Sequence, residues 1–234
     1  MSTDKELNLL SQKIVYDYTK FTTTDYIGEV SCVVWHISCN LKCSYCYNDN
    51  IVFAKKGSYS YNDILEFLKN RVGLLSAVVL SGGEATTHDL KPFCKKVKDL
   101  GFKIKLDSNG INFQKIKELI DKNLIDFISL DFKATKEKFK AITLKNSYNK
   151  FLKTLKYLID IKFPFELRTT VNADLLDEND INEIVKIVYD LGYKNSFYVQ
   201  NFLQTESNIG NISQKKLLNR DLIREDLLKI EFRN

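Results

Sequence analysis

Short runs of β-branched and aromatic residues alternate with longer amphipathic stretches along most of the chain. The runs at 30–38, 77–81, 103–107, 127–131, 165–171 and 197–202 predict strands, because each is brief, apolar and bounded by turn-forming residues. Between them apolar residues recur at helical spacing. Ile64, Leu65, Leu68 and Val72 form one such stripe, and Ile116, Leu119 and Ile120 another. Phe151, Leu152, Leu155, Leu158 and Ile159 form a third, and Ile181, Ile184, Val185 and Val188 a fourth. Thr87 reads as a cap ahead of a further helical run, and Gly101 and Gly192 as helix stops. The residues before 30 are polar and predict no element. The tail after 202 stays polar until 222–230, which reads as a short closing helix or a helix-to-strand segment.

Strand–helix alternation implies βαβ units and a parallel sheet. Six units fall short of the eight in a closed (β/α)₈ barrel. The expected fold is therefore α/β, a single domain built as a partial (β/α)6 open TIM-type barrel; a doubly wound open sheet is the alternative. The expected division is an N-terminal extension at 1–29, a core at 30–202 and a C-terminal tail at 203–234 that packs on the core.

Composition narrows the function classes. With 44% hydrophobic and 28% charged residues, the 234-residue chain can bury a core and is not a disordered chain. Thirty-five basic residues against 30 acidic ones give a net charge of +5, with lysines interleaved among acids, so no nucleic-acid partner is expected. No stretch approaches about 18 uninterrupted apolar residues, so no membrane span is expected either. The start, MSTDKELNLLSQK, lacks an apolar secretory core, and a cytoplasmic location follows as an expectation. In that reducing compartment five cysteines point to metal or redox chemistry before disulfides.

Three of them, Cys39, Cys43 and Cys46, form C-x₃-C-x₂-C. Three thiolates on one short loop can each bind one iron of a cubic cluster and leave the fourth iron open. Zinc is the alternative, with His36 as a fourth ligand, although His36 sits in an apolar run and reads as a core histidine. Cys32 in a strand and Cys94 in a helix read as small buried hydrophobes.

Polar clusters follow nearly every predicted strand, on the edge where α/β folds build their sites. Gly82 and Gly83 would let a ligand approach the backbone, and Glu84 could meet a cationic amine. Tyr45, between two cysteines, could stack on a flat base or simply cover a cluster. Asp107, Ser108 and Asn109 offer oxygen ligands or an Asx turn closed by Gly110. Asp131 and Lys133 flank Phe132 and can share a face, as site residues or as an ion pair. Arg168 lies within the fifth strand and Gln200 and Asn201 within the sixth.

This combination resembles the radical S-adenosylmethionine superfamily, through C-N-L-K-C-S-Y-C (39–46) and S-G-G-E (81–84). Within it the chain is most similar to glycyl-radical-enzyme activases, and among these to anaerobic ribonucleoside-triphosphate reductase activating proteins. D-S-N-G (107–110), D-F-K-A (131–134), R-T-T-V (168–171) and Q-N-F (200–202) carry that narrower likeness. Ser44, Tyr47 and Ala85 depart from residues frequent in activases. No cysteine follows Cys94, so no auxiliary cluster domain is expected.

The resemblance implies that Cys39, Cys43 and Cys46 hold a 4Fe-4S cluster whose open iron takes S-adenosylmethionine. It places Tyr45 by the adenine, Gly82, Gly83 and Glu84 at the methionine ammonium, and Ser108 and Asn109 near the ribose. Lys133 and Arg168 would lie near the methionine carboxylate, with Asp131 and Lys133 as catalytic residues beside the substrate backbone. Asp107 and Asp131 become candidates for a monovalent cation site. The implied reaction is reductive cleavage of S-adenosylmethionine to a 5′-deoxyadenosyl radical, which generates a glycyl radical on the large subunit of anaerobic ribonucleotide reductase. A flavodoxin or ferredoxin-type protein would supply the electron. The alternatives are a compact superfamily enzyme acting on a small molecule, such as a 7-carboxy-7-deazaguanine synthase-like enzyme, and a non-enzymatic metal-binding module.

Overall fold

All six predicted strands are present, and each begins within one residue of the expected position. The computed structural model describes residues 2–233, so Met1 and Asn234, which belong to the expected extension and tail, lie outside the described residues. The predicted strands are β2 (Ser31–His36), β3 (Ala77–Gly82), β4 (Lys103–Ser108), β5 (Phe127–Asp131), β6 (Phe165–Val171) and β7 (Phe197–Asn201). Two more join them: β1 (Val15–Thr22) and β8 (Ile230–Arg233). The strands of this α/β fold follow chain order in an eight-stranded sheet, β1 to β8.

The chain divides into two compact units. The first comprises Met1–Asn40, Asn50–Ser108 and Asn112–Ile128, the second Leu41–Asp49, Asn109–Ile111 and Ser129–Asn234. In the first unit β1 pairs antiparallel with β2, while β2, β3 and β4 run parallel in register Val33–Val79–Lys105. β1 escaped the sequence pattern because only Val15 is fully buried; Asp17 and Lys20 interrupt its aromatic and threonine residues. Trp35 Nε1 donates to Thr19 Oγ1 at 3.0 Å across this pair.

The helices of this unit are α1 (Ser2–Ser11), α2 (Asp49–Phe53, opening in the second unit's loop), α3 (Tyr61–Lys69), α4 (Lys91–Asp99) and α5 (Phe113–Asp121). At nine residues α3 is too short to persist alone. A Ser60–Asp63 capping box starts it, and burial of Tyr61, Ile64, Leu65 and Leu68 holds it down. Each such side chain contributes about 1.5–3 kcal/mol. Thr87 does not cap α4: it ends a 3₁₀ turn at Ala85–Thr87, and α4 starts after Leu90 with a proline in its first turn. Gly101 does take the left-handed position after α4, at φ +90°.

His36 sits at the centre of this core. Its Nδ1 meets Ser81 O at 3.0 Å and its Nε2 the Tyr61 hydroxyl at 2.9 Å, while the Tyr61 ring stacks on Phe93. Both ring nitrogens are engaged, so His36 is the satisfied core histidine and not a spare metal ligand. Burial, aided by the neighbouring His88, pushes its imidazole down to about 3.

In the second unit β6, β7 and β8 run parallel. Its helices are α6 (Lys136–Thr143), α7 (Tyr148–Asp160) and α8 (Glu178–Asp190). Phe132, Phe139, Tyr148 and Phe151 pack edge to face beneath α6 and α7. Of the two expectations for 222–230 the closing helix is absent and the helix-to-strand alternative is nearer: a 3₁₀ turn at Arg220–Leu222 leads to β8. Only Ile223, Leu228 and Ile230 are buried there, at spacings that make no helical stripe, and Arg224 pairs with Asp226 at the surface. No helix among the described residues is long and apolar enough to cross a membrane.

Two outcomes follow. The unfolded chain takes up a proton at His36 near pH 6.5 that the folded chain refuses until about pH 3. Folding stability should therefore fall as pH drops through that window, by at most about tenfold per pH unit from this group. Urea titrations at pH 7 and pH 5 measure it, and the drop should shrink in His36→Gln. The second concerns Gly110, at φ +73°, where a Cβ would sit 2.8 Å from Leu130 Cδ1. Gly110→Ala should destabilise by about 2 kcal/mol, lowering the melting temperature by roughly 4–8 °C.

Candidate active site

β2 ends at His36, and the chain turns at Ser38, which adopts a left-handed conformation (φ 68°) one residue before Cys39. Ser38 N–H donates to Ile51 O at 2.9 Å, and Ser38 O accepts from Glu84 N–H at 2.8 Å. The parallel register of β2 and β3 explains the glycines. At Gly82, φ +114°, a Cβ would lie 2.3 Å from His36 N; at Gly83 it would lie 2.1 Å from Ser38 O. What approaches the backbone at these positions is the chain itself.

Glu84 is 2% exposed. Its Oε1 accepts from Thr86 N–H at 3.2 Å, Thr86 Oγ1 at 2.5 Å and Ser108 Oγ at 3.0 Å. The carboxylate thus caps the 3₁₀ turn and ties it to the end of β4. Asn112 Nδ2 adds bonds to Thr86 O and Oγ1. Asp107, on β4, accepts from Ser81 Oγ at 3.1 Å and lies 3.0 Å from the buried Lys105 Nζ, which also donates to Asp25 O.

In the second unit the loop 41–49 is fixed by backbone bonds. The last carbonyls of a helix have no intrahelical partner, and here the loop supplies two. Lys42 N–H donates to Thr143 O at 3.1 Å and Ser44 N–H to Ile142 O at 2.9 Å, both at the end of α6. On the other side Gly210 N–H reaches Ser44 O at 2.7 Å and Ile209 N–H reaches Cys46 O at 2.9 Å. Cys46 N–H closes a turn onto Cys43 O.

All five cysteines are free thiols, and Cys32 and Cys94 are buried as expected of small core residues. Cys43 is 7% exposed, and burial pushes its thiol up to about 11, with the Lys133 charge pulling the other way. Burial also raises Cys46. Tyr45 is 6% exposed; its hydroxyl is buried with no hydrogen-bond partner among the described residues, and its ring centre lies 6.0 Å from Lys133 Nζ.

β5 and β6 bring the charged residues together. Arg168 Nε donates to Asp131 Oδ1 at 2.5 Å and Lys133 Nζ to Asp131 Oδ2 at 3.1 Å. Burial alone would raise the Asp131 carboxyl, but Arg168 and Lys133 overwhelm it and hold the group at about 2. Burial likewise opposes the Lys133 charge, and Asp131 beside it keeps the ammonium well above its ordinary value. Both groups stay charged across the neutral range, so they can orient a ligand or balance charge, and they do not exchange protons there. Asn109 forms the Asx turn, its Oδ1 accepting from Ile111 N–H at 3.1 Å. Each aspartate expected to hold a monovalent cation has a lysine or arginine cation against it.

The sequence reading missed the continuation of this network. Glu166 accepts from Ser129 Oγ at 2.6 Å and Arg233 Nη2 at 2.9 Å, and lies 3.8 Å from Arg168 Nη1; Arg233 also stacks 3.6 Å above Tyr198. Glu166 stands two residues before Arg168, on the same strand face, and that alternation was the available signal. Arg233, near the end of a four-residue strand, carries none. Among the described residues no three His, Cys, Asp or Glu side chains gather as a single-ion site. A cubic cluster takes one thiolate at each of three separate iron corners and does not need such convergence.

A family model described as the radical SAM superfamily matches residues 34–191. Two proteins of Methanocaldococcus jannaschii, named as candidate glycyl-radical enzyme activating enzymes, are each 31% identical to the chain. One match runs over 186 residues and 76% of both chains. The other runs over 170 residues, 69% of this chain and 65% of the relative, so the chain spans a little under two thirds of that protein. Streptococcus suis SuiB bound to S-adenosylmethionine shares the fold, with a TM-score of 0.67 at 16% identity over 85% of this chain and 48% of SuiB, about half its length. Enzymes of the superfamily use a 4Fe-4S cluster and S-adenosylmethionine. With residues 34–191, most of the chain, matched by that family model, this protein belongs to the radical SAM superfamily.

Proposed function

We propose that this radical SAM enzyme is an activase that generates a glycyl radical on the large subunit of anaerobic ribonucleoside-triphosphate reductase. The observation that carries the activase reading is the 31% identity, across 76% of both chains, to a candidate glycyl-radical enzyme activating enzyme. The D-S-N-G, D-F-K-A, R-T-T-V and Q-N-F motifs support the reductase as its target.

The donor set fits the cofactors. Cys39, Cys43 and Cys46 are free thiols within eight residues of one loop, and they would be the ligands of the 4Fe-4S cluster. A thiol held near 11 by burial gives up its proton when iron binds, and the Lys133 charge eases that change. The orphaned Tyr45 hydroxyl is a donor that a bound nucleotide would satisfy. Because the Glu84 carboxylate is engaged with Thr86 and Ser108 and its carbonyl with Thr87, Gly82 and Gly83 would meet the methionine ammonium through backbone carbonyls, with Glu84 fixing the turn that presents them. Ser108 and Asn109 would hold the ribose side by their backbone and by the turn they shape. Lys133 and Arg168 would face the methionine carboxylate, with Asp131 fixing both cations in place.

Once bound, these cofactors supply one-electron cleavage of a sulfonium and a carbon radical able to take hydrogen from a glycine Cα. The protein's part is placement and exclusion of water: Asp131 and Lys133 keep fixed charges, and Tyr45 covers the loop. The partners of this reading are the reductase large subunit and an electron donor of flavodoxin or ferredoxin type.

Cys43→Ala should lose iron and the visible cluster absorbance after anaerobic reconstitution, while far-UV circular dichroism stays that of the parent. Retained iron at the parent stoichiometry would remove Cys43 from the ligand set. Reduced, cluster-loaded protein mixed with the anaerobic reductase should yield 5′-deoxyadenosine and a glycyl radical signal in electron paramagnetic resonance. Production of 5′-deoxyadenosine on adding a small heterocycle, with no radical on the reductase, would point to a small-molecule enzyme instead.

A further inference from the structure

The whole-chain charge of +5 conceals a local excess. By sequence, residues 133–162 carry nine lysines against Glu137 and Asp160, a net +7, although Lys133 and Lys138 are met by Asp131 and Asp180 and Lys156 by Asp160. Lys136, Lys140, Lys145, Lys150, Lys153 and Lys156 are all exposed on α6, α7 and the turn between them. This stretch has no arginine, and of its four aromatics Phe139, Tyr148 and Phe151 are buried in the core and Tyr157 is half-buried. A nucleic-acid surface would stack exposed aromatics or arginines on bases. Lysine point charges alone suit long-range attraction of an acidic protein surface.

A second observation marks the same place. Leu144, at the end of α6, is 66% exposed and left-handed at φ 56°. That conformation costs a bulky residue about 1–2 kcal/mol, and glycine or asparagine would adopt it more easily. A strained apolar side chain held out in water among lysines has the character of an interface anchor, apolar within a charged rim. Its neighbours Ile142 and Thr143 are the residues whose carbonyls hold Ser44 and Lys42 of the cysteine loop.

We propose that the lysine face of α6 and α7, anchored by Leu144, docks an acidic one-electron donor protein beside the cysteine loop. This rests on the reading that the loop holds a redox centre. The donor loses one electron and the centre gains it, with no proton or group transferred. Electron tunnelling weakens steeply with distance, so the donor must seat next to the loop, and α6 ends there.

The test uses reduced flavodoxin of net negative charge as donor and dithionite as a small reductant needing no docking surface. Calorimetric binding of flavodoxin to the cluster-loaded protein should weaken as salt rises from roughly 50 to 500 mM. It should weaken about tenfold at low salt in the Lys140→Glu, Lys150→Glu double variant. The flavodoxin-driven rate of 5′-deoxyadenosine formation should fall in parallel, with the dithionite-driven rate and iron content unchanged. Leu144→Asn should also weaken flavodoxin binding, without lowering the melting temperature. Unchanged flavodoxin affinity in the double variant would overturn the proposal, as would an equal fall in the dithionite rate. Transfer RNA retained by the parent and lost by the variant, with flavodoxin binding unaltered, would assign the face to RNA. Flavodoxin binding as expected, with no 5′-deoxyadenosine from either reductant, would refute the proposed function and leave the docking face standing.

Discussion

A chain segment buried outside regular structure must find partners for its amides, and the cysteine loop is shaped by how it finds them. The end of α6 offers two carbonyls with no partner of their own, and the loop offers Lys42 and Ser44 N–H to fill them. From the other side the 209–210 segment closes on Ser44 and Cys46 carbonyls. Gly210 is required for that approach, since a Cβ there would sit 2.8 Å from Ser44 Cβ. The backbone that carries Cys43 and Cys46 is therefore set by main-chain bonding. Such bonding ties residues far apart in sequence, 42–46, 142–143 and 209–210, into one unit.

The charged residues follow a related rule. Burying a carboxylate is costly unless cations and donors meet it. Asp131 is met by Arg168 and Lys133, Glu166 by Arg233, Ser129 and the nearby Arg168, and Glu84 by Thr86 and Ser108. The outcome is a set of groups locked in one charge state. In hydrolytic enzymes such groups are often tuned toward neutral pH so that they trade protons. Here Asp131 is driven the other way, to about 2. That suits chemistry in which an electron and a hydrogen atom move and no general acid or base is needed.

The strands were legible because a buried strand in a parallel sheet is a continuous apolar run, as VSCVVW and AVVL show. β1 and β8 lie first and last in the sheet order and bury little, so their sequences carry weak signals. The cysteine triplet was legible because spacing alone defines it. The parts played by Gly82, Gly83 and Glu84 were not. Sequence marks that a glycine is needed, and only the parallel register of β2 and β3 shows that a neighbouring backbone needs it. Arg233 was invisible for the same reason: its partner lies 67 residues away. The lysine face was hidden because a total charge does not say where along the chain the lysines fall.

Local preference and final structure agree through most of the core, and the departures are concentrated. Among the described residues, five non-glycine residues are left-handed; two are asparagines, which tolerate it, and Lys162 follows a helix end. Leu144 likewise follows a helix end, that of α6, and Ser38, immediately before Cys39, is the remaining case. The buried, unpartnered Tyr45 hydroxyl belongs to the same loop. Each breaks a rule that a purely structural loop has no reason to break, and an isolated departure would say little. Ser38 and Tyr45 fall within 38–45, the stretch that also carries Cys39 and Cys43, and departures concentrated in that way are expected where a site is built.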